Sequence, residues 1–178
     1  MSYTPFEIND LLNSITILVD TREHPGANFD QRVSAFGLPW ERHKLDQGDY
    51  SYKYTDLEGN NIYMNDALII ERKMSLNELA NNFGRERARF IREFERAKAA
   101  GTQVHLLIES DTWEDAYKGT YGKDVRHRSR YNPAAMTASL HAWEQRYGLR
   151  IKFCRKERTG QMIRDICWYH LKEKLQNE

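Results

Sequence analysis

Three carboxylates and one lysine stand where short apolar or turn-like segments of the sequence end. They are Asp20, Asp49, Glu71 and Lys73. Residues two apart on a strand point to the same face of a sheet. Glu71 and Lys73 are therefore predicted to project together, with Arg72 facing away.

This set of side chains suits the hydrolysis of a phosphodiester. The reaction needs a nucleophilic water and stabilisation of charge on the phosphate. Mg²⁺ held by a few carboxylates supplies both, because it keeps several of its own waters. A neighbouring lysine can donate hydrogen bonds to the nucleophile or the phosphate. Glu-x-Lys is common, however, so the tripeptide alone is better interpreted as a solvated cluster of charges.

The residues around these positions make the pattern specific. The sequence reads Val-Asp-Thr-Arg-Glu at residues 19–23, Gly-Asp-Tyr at 48–50 and Glu-Arg-Lys at 71–73. In this order and spacing the chain resembles the ERCC4-type nuclease domain of the XPF and Hef endonucleases. The resemblance covers about residues 15–110, through a basic helix to the strand-like segment at 103–109.

The resemblance implies a role for each matching residue. Asp49 and Glu71 match metal ligands of the family, and Lys73 matches its catalytic lysine. Asp20 and Glu23 match an acidic pair beside the metal, which makes Asp20 a third candidate ligand and both residues candidate catalytic groups. The resemblance also implies a restriction-endonuclease-like fold. It further implies that Mg²⁺, with Mn²⁺ able to substitute, is used to cut branched, flapped or forked DNA.

The chain departs from the family pattern in one motif position and in its extent. The signature aspartate that follows Glu-Arg-Lys falls at Asn77, which removes one carboxylate near the metal. The helix-hairpin-helix and helicase domains of relatives are not expected here. We interpret the chain as a compact, stand-alone nuclease of the kind that a phage or mobile element encodes.

Strands interleaved with helices predict an α/β fold. Apolar or alternating runs predict strands at residues 15–20, 40–45, 50–54, 67–71, 103–109 and 149–153. Helices are predicted at 28–36, from a capping box at Ser75 and Glu78, at 85–100, from Pro133 to Tyr147 and at 161–175. We expect one domain over residues 1–178, a three-layer sandwich whose central mixed β-sheet is flanked by helices.

Two basic segments are candidate DNA contacts. The first is an arginine stripe on the helix predicted at 85–100, formed by Arg85, Arg89, Arg92 and Arg96. The second is the segment 118–131, which mixes cations for the DNA backbone with aromatic rings for unpaired bases. A solvated helix face and a surface loop without a partner are the alternatives. The residues assigned to DNA contact are Arg22, Arg72, Arg85, Arg89, Lys118, Lys123, Arg126, Arg128 and Arg130.

Charge is divided unevenly along the chain, although the net charge is +1. Residues 1–117 contain 13 Lys/Arg and 20 Asp/Glu, whereas residues 118–178 contain 14 and 6. Such a chain could hold a cation in one part and a polyanion in the other. Chance clustering on solvated faces explains the division equally well.

Composition also bounds the location of the protein. No apolar run approaches the ~20 residues that span a bilayer, and no secretory signal is visible. Cys154 and Cys167 are interpreted as reduced core thiols. We therefore expect a cytoplasmic protein, in the host cytoplasm if a phage encodes it, without membrane association.

Other functions stay open at this point. One is a non-catalytic DNA-binding or scaffolding module, although such modules usually lose the acidic residues that this chain keeps. Another is a Holliday-junction resolvase or restriction-like nuclease on the same fold. The expected partner is DNA that is branched or has single-stranded/double-stranded junctions, and a homodimer is expected because family nuclease domains pair.

Overall fold

A computed structural model describes residues 3–121 and 131–177. Its helices are α1 (Pro5–Asn13), α2 (Ala27–Ser34), α3 (Leu76–Arg85), α4 (Arg87–Ala100), α5 (Trp113–Lys118), α6 (Pro133–Tyr147) and α7 (Thr159–Gln176). Its strands are β1 (Thr16–Asp20), β2 (Trp40–His43), β3 (Tyr50–Thr55), β4 (Asn61–Tyr63), β5 (Leu68–Lys73), β6 (Gln103–Glu109) and β7 (Arg150–Cys154). The chain divides into two compact units, residues 1–69 with 157–178 and residues 70–156.

The first unit is built on mixed strand pairing. β1 lies between β2, to which it is parallel, and β3, to which it is antiparallel, and β4 is antiparallel to β3. Ile17, Leu18 and Val19 are fully buried, as expected for a continuous β-branched and apolar run. Val19 pairs with Tyr50, so the end of β1 lies beside the start of β3.

Helix α7 closes the first unit by packing on α1, α2 and β3. Its second residue is Gly160, and a Cβ there would lie 2.2 Å from the backbone oxygen of Arg32 on α2. The two helices can approach this closely only because residue 160 has no side chain. Further along α7, Nδ1 of His170 lies 2.7 Å from the hydroxyl of Tyr52 on β3.

The second unit combines parallel strands with a core of aromatic rings. β6 pairs with β7, with Glu109 opposite Cys154, and residues 106–108 are fully buried. Trp143 of α6 is also fully buried and contacts the rings of Phe83, Phe90 and Phe94 on α3 and α4. This cluster fixes α3, α4 and α6 relative to one another.

The sequence predicts most of these elements, with four corrections. Helices α1 and α5 and the short strand β4 were not expected. The helix predicted at 85–100 is divided at Glu86, whose φ of −111° and ψ of 12° leave the helical region. Arg85 is therefore the last residue of α3, whereas Arg89, Arg92 and Arg96 lie on α4.

Cys167 is buried, as predicted for a core thiol, whereas Cys154 is only partly buried. Neither forms a disulfide, and burial raises the pKa of the Cys167 thiol. Among the described residues, none of the helices combines the length and the apolar character that crossing a membrane requires.

Candidate active site

Asp20 ends β1, and backbone and side-chain donors hold its carboxylate. Its Oδ1 accepts hydrogen bonds from the backbone N of Arg22 at 2.8 Å and from Nε of Arg22 at 2.5 Å. Its Oδ2 accepts one from the backbone N of Leu45 at 2.7 Å. Burial by itself would raise the pKa of the Asp20 carboxyl, but these hydrogen bonds outweigh it and hold the pKa below its usual range. With only 1% of its surface exposed, Asp20 stays ionised by accepting N–H donors.

The segment that carries Asp49 is fixed to the end of β1. Nη2 of Arg22 donates to the carbonyl oxygens of Leu45 and Gly48 at 3.2 and 3.3 Å. The backbone N of Asp20 donates to the carbonyl of Asp49 at 2.9 Å. Gly48 has a φ of 75°, which allows the chain to turn into β3 directly after Asp49. Residues 20, 22 and 49 thus lie together at the end of β1, and the side chain of Arg22 keeps 60% of its surface exposed.

Glu23 is held inside the first unit. Its Oε2 accepts hydrogen bonds from Nη2 of Arg32 at 2.7 Å and from the hydroxyl of Tyr50 at 2.5 Å. Nε of Arg32 also donates to the same Tyr50 hydroxyl at 2.7 Å. Nη1 of Arg42 donates to the backbone oxygens of Glu23 and Asp20, at 2.7 and 2.9 Å. The turn after β1 is therefore anchored to α2, β2 and β3.

In the second unit, Glu71 and Lys73 lie on the same face of β5. Nζ of Lys73 donates to Oε1 of Glu71 at 2.7 Å, which confirms the predicted side-by-side arrangement. Lys73 is buried, and its ammonium lies 5.0 Å from the ring centre of Phe90. Glu71 keeps 18% of its side chain exposed. The pair is therefore a largely desolvated lysine beside a carboxylate that water can still reach.

Glu78 is a second carboxylate near Lys73, and the motif analysis did not assign it a role. Its Oε1 lies 3.8 Å from Nζ of Lys73, and its Oε2 accepts a hydrogen bond from the backbone N of Met74 at 2.8 Å. Ser75 caps α3 through the N–H of Glu78, as predicted. The Ser75 and Glu78 pattern in the sequence predicts the start of the helix, but it does not predict that Glu78 lies close to Lys73.

Arg72 points to the other side of β5, as expected, and joins it to β6. Its Nη1 donates to Oε2 of Glu109 at 3.2 Å. Asp111, two residues later, accepts a hydrogen bond from the backbone N of Leu76 at 2.6 Å. Ser110 between them has a φ of 66°, a left-handed conformation that is uncommon for a serine. The end of β6 is thereby tied both to β5 and to the start of α3.

The structure places only part of the predicted DNA-contacting set. Arg89 pairs with Glu93 on its own helix, with Nε 2.9 Å from Oε1. Lys118 is exposed in the last turn of α5. Four more of the assigned cations, Lys123, Arg126, Arg128 and Arg130, lie outside the described residues.

The carboxylate oxygens of the candidate site are chemically suited to bind a hard cation such as Mg²⁺. Carboxylate oxygens such as those of Glu71 and Asp49 are the ligands that Mg²⁺ prefers. Among the described residues, no three or more His, Cys, Asp or Glu side chains are grouped so as to hold a metal ion. Mg²⁺ is usually held by one or two carboxylates together with substrate phosphates, so the partly exposed carboxylate of Glu71 is compatible with it.

The strands and helices define an α/β protein, and comparison with known proteins shows which solved structures have a similar fold. XPF from Aeropyrum pernix has a similar structure, with a TM-score of 0.61 and 18% identity, over 87% of this chain and 61% of that chain. XPF from Aeropyrum pernix in complex with DNA gives a TM-score of 0.59 and 20% identity, over 89% and 66%. The chain thus spans about two thirds of these structures or slightly less. The likeness confirms the expected restriction-endonuclease-like α/β fold.

The ERCC4 domain family matches residues 19–166, and the chain belongs to this family. No curated protein sequence is similar enough to give a match. Family membership and fold together support a nuclease or DNA-binding role.

Proposed function

We propose that this chain is a metal-dependent DNA endonuclease with Glu71 and Lys73 at its reactive centre. The observation that carries the proposal is the contact between the Lys73 ammonium and the partly exposed Glu71 carboxylate, at the end of β5 and inside the ERCC4 match. The family signature adds Asp49 as a second ligand. Asp20 and Glu23 contribute by fixing the segment that carries Asp49, and Asp20 is a third candidate ligand.

The reaction is the hydrolysis of a phosphodiester by water. The oxygen of water bonds to phosphorus, the bond to one sugar oxygen breaks, and that oxygen leaves with a proton as a hydroxyl. Bound Mg²⁺ or Mn²⁺ supplies a water of lowered pKa and offsets the charge on the phosphate. The buried Lys73 donates hydrogen bonds to the phosphate or the attacking water from a site where water competes poorly.

The substrate of this proposal is DNA with a branch, flap, fork or other single-stranded/double-stranded junction. It rests on the resemblance to structure-selective nucleases and on the basic second unit. The second unit contains 18 Lys/Arg and 11 Asp/Glu, which favours binding of a polyanion. A homodimer stays a prediction.

A cleavage assay on labelled linear, flap, fork and four-way DNA tests the proposal. We expect wild type to cut in Mg²⁺ or Mn²⁺ and to stop in EDTA. Glu71→Gln and Lys73→Met, which keep side-chain volume, should lose at least about a hundredfold in rate while DNA binding stays within about twofold. Glu58→Gln, in the exposed turn before β4, is the matched control. Wild-type rates in both active-site variants would show that Glu71 and Lys73 are not the reactive centre, whereas cutting of no substrate would leave a DNA-binding module.

A further inference from the structure

A cluster of aromatic rings lies on the surface of the second unit. Trp113 of α5 stacks on His141 of α6, with ring centres 4.8 Å apart and planes inclined by 9°. Trp113 also contacts Phe153 of β7, with centres 5.4 Å apart. The hydroxyl of Tyr117, one turn further along α5, lies 2.9 Å from Nε2 of His141. We call Trp113, Tyr117, His141 and Phe153 the ring cluster.

The ring cluster is more exposed than rings that serve only to pack helices. Tyr117 has 62% of its surface exposed and the side chain of His141 52%, whereas Trp113 and Phe153 are partly buried. Helix α5 is already fixed without them, because Ala116 is fully buried and the helix begins with a capping box at Thr112. The outer rings therefore present apolar surface to solvent that folding of α5 does not require.

The position of the ring cluster relates it to the proposed centre. Trp113 follows Glu109 by four residues, so their Cα atoms are at most about 14 Å apart. Glu109 accepts a hydrogen bond from Arg72, the residue between Glu71 and Lys73. The ring cluster thus follows the end of β6 that Arg72 joins to β5, the strand that carries Glu71 and Lys73 on its other face.

The charges around the cluster favour a neutral ring over a phosphate at the cluster itself. Oε2 of Glu144 lies 3.7 Å from Nδ1 of His141, and Glu114 is exposed on α5. Both carboxylates would repel a phosphate at the rings. Lys118 is exposed directly after Tyr117 and offers a cation for a phosphate one step away. Aromatic rings beside a cation, in a unit with excess positive charge, match the alternating bases and phosphates of a single strand.

We infer that the ring cluster is a stacking site for an unpaired nucleobase in the single-stranded part of the DNA substrate. The inference rests on the proposed function and deepens it by naming what holds the unpaired strand. Stacking of this kind accepts any base, since every base has a π-face. It therefore suits an enzyme that selects DNA by structure and not by sequence.

Fluorescence anisotropy with a flap DNA that carries a labelled single-stranded thymidine arm tests the inference. All proteins carry Glu71→Gln so that the DNA stays intact. Tyr117→Ala combined with His141→Ala should weaken binding about five- to a hundredfold, as for the loss of one stacked base. Tyr117→Phe, which keeps the ring, should bind like the parent protein. Tyr169→Ala is the matched control, because Tyr169 is 57% exposed on α7 in the first unit.

A second DNA, whose arm carries abasic sugars, separates stacking from phosphate contact. The parent protein should bind the abasic arm as weakly as the double variant binds the thymidine arm. The double variant should bind both arms with the same affinity. Equal binding by parent and double variant on the thymidine arm would overturn the inference. So would an equal loss by the double variant on both arms. Circular dichroism and thermal melting show whether each variant is folded.

The outcome is distinguishable from that of the proposed function. If wild type cuts flap DNA and the double variant in an otherwise wild-type background binds and cuts equally well, stacking fails and the nuclease stands. If wild type cuts no DNA but the double variant binds the thymidine arm more weakly than the parent protein and the abasic arm equally well, stacking stands and the nuclease fails.

Discussion

The two units of the chain use their charged side chains differently. The first contains 9 Lys/Arg and 15 Asp/Glu, the second 18 and 11. In the first unit the motif carboxylates Asp20 and Glu23 accept hydrogen bonds from their own unit and hold the turn after β1. In the second, the motif carboxylate Glu71 stays partly exposed beside a buried lysine. The residue type alone therefore does not tell whether a motif carboxylate is a candidate metal ligand or a residue that fixes the backbone. The hydrogen-bond donors and the solvent around the carboxylate distinguish the two.

The largest effect should come from breaking the internal network of the first unit. Arg32→Met removes the cation between Glu23 and Tyr50 and should cost about 3–5 kcal/mol of unfolding free energy, because it leaves a carboxylate buried without its charge partner. Urea unfolding measures this loss. Arg164→Met is the control in the same unit, since the pair of Arg164 and Asp165 is surface-exposed and should contribute at most about 1 kcal/mol. Equal losses in the two variants would contradict the anchoring role.

A smaller effect, on catalysis, should come from the second carboxylate near Lys73. Glu78→Gln keeps an oxygen for the N–H of Met74 but removes the charge 3.8 Å from the ammonium. If the proposed function holds, kcat should fall about tenfold, equivalent to about 1.4 kcal/mol, with KM and melting temperature unchanged. Asp115→Asn, in the capping box of α5, controls for the loss of a capping charge. If kcat falls equally in Asp115→Asn, the effect of Glu78→Gln comes from the loss of a helix-capping charge and not from its distance to Lys73.

A weaker effect should appear in the salt dependence of DNA binding. Arg92→Gln and Arg96→Gln, on the exposed face of α4, should each lower the slope of log K against log salt by about 1 if each contacts a phosphate. Lys44→Gln removes an exposed cation from the first unit and should leave the slope unchanged. Identical slopes in all three variants would show that the excess cations of α4 face solvent only.

The smallest effect should be one of pH. Asp20 has a lowered pKa in the folded chain, so its contribution to stability is present above its unfolded value of 3.8 and is lost as the pH falls below it. Asp20→Asn should therefore be destabilised at pH 7, and the difference from wild type should shrink toward pH 3. Urea unfolding at several pH values measures the difference, and parallel pH profiles would rule out this contribution of Asp20.

The ends of the central strands could be predicted because apolar runs and strand periodicity are local signals. β1 ends at Asp20, directly after its apolar run, whereas β5 continues past its apolar run to Lys73, and the two-residue period placed Glu71 beside Lys73. Helices α1 and α5 also have local signals, the capping boxes Thr4–Glu7 and Thr112–Asp115. Both helices are too short to show a clear helical period of apolar residues.

The roles of Glu23 and Glu109 could not be predicted in the same way. Glu23 meets Tyr50, 27 residues later, and Glu109 meets Arg72, 37 residues earlier. Such contacts depend on how the chain folds back on itself, which neither spacing nor residue type encodes locally.

The first unit is interrupted in sequence by the second, and this has a consequence for how the chain is made. Residues 70–156 leave the ribosome before residues 157–178, so the basic unit is complete while the acidic unit still lacks α7. Chains fold progressively as they emerge. The close packing of Gly160 on α2 must then be among the last contacts to form. Synthesis thus sets an order in which the basic unit can fold first and the acidic unit is completed last, when α7 packs on α2.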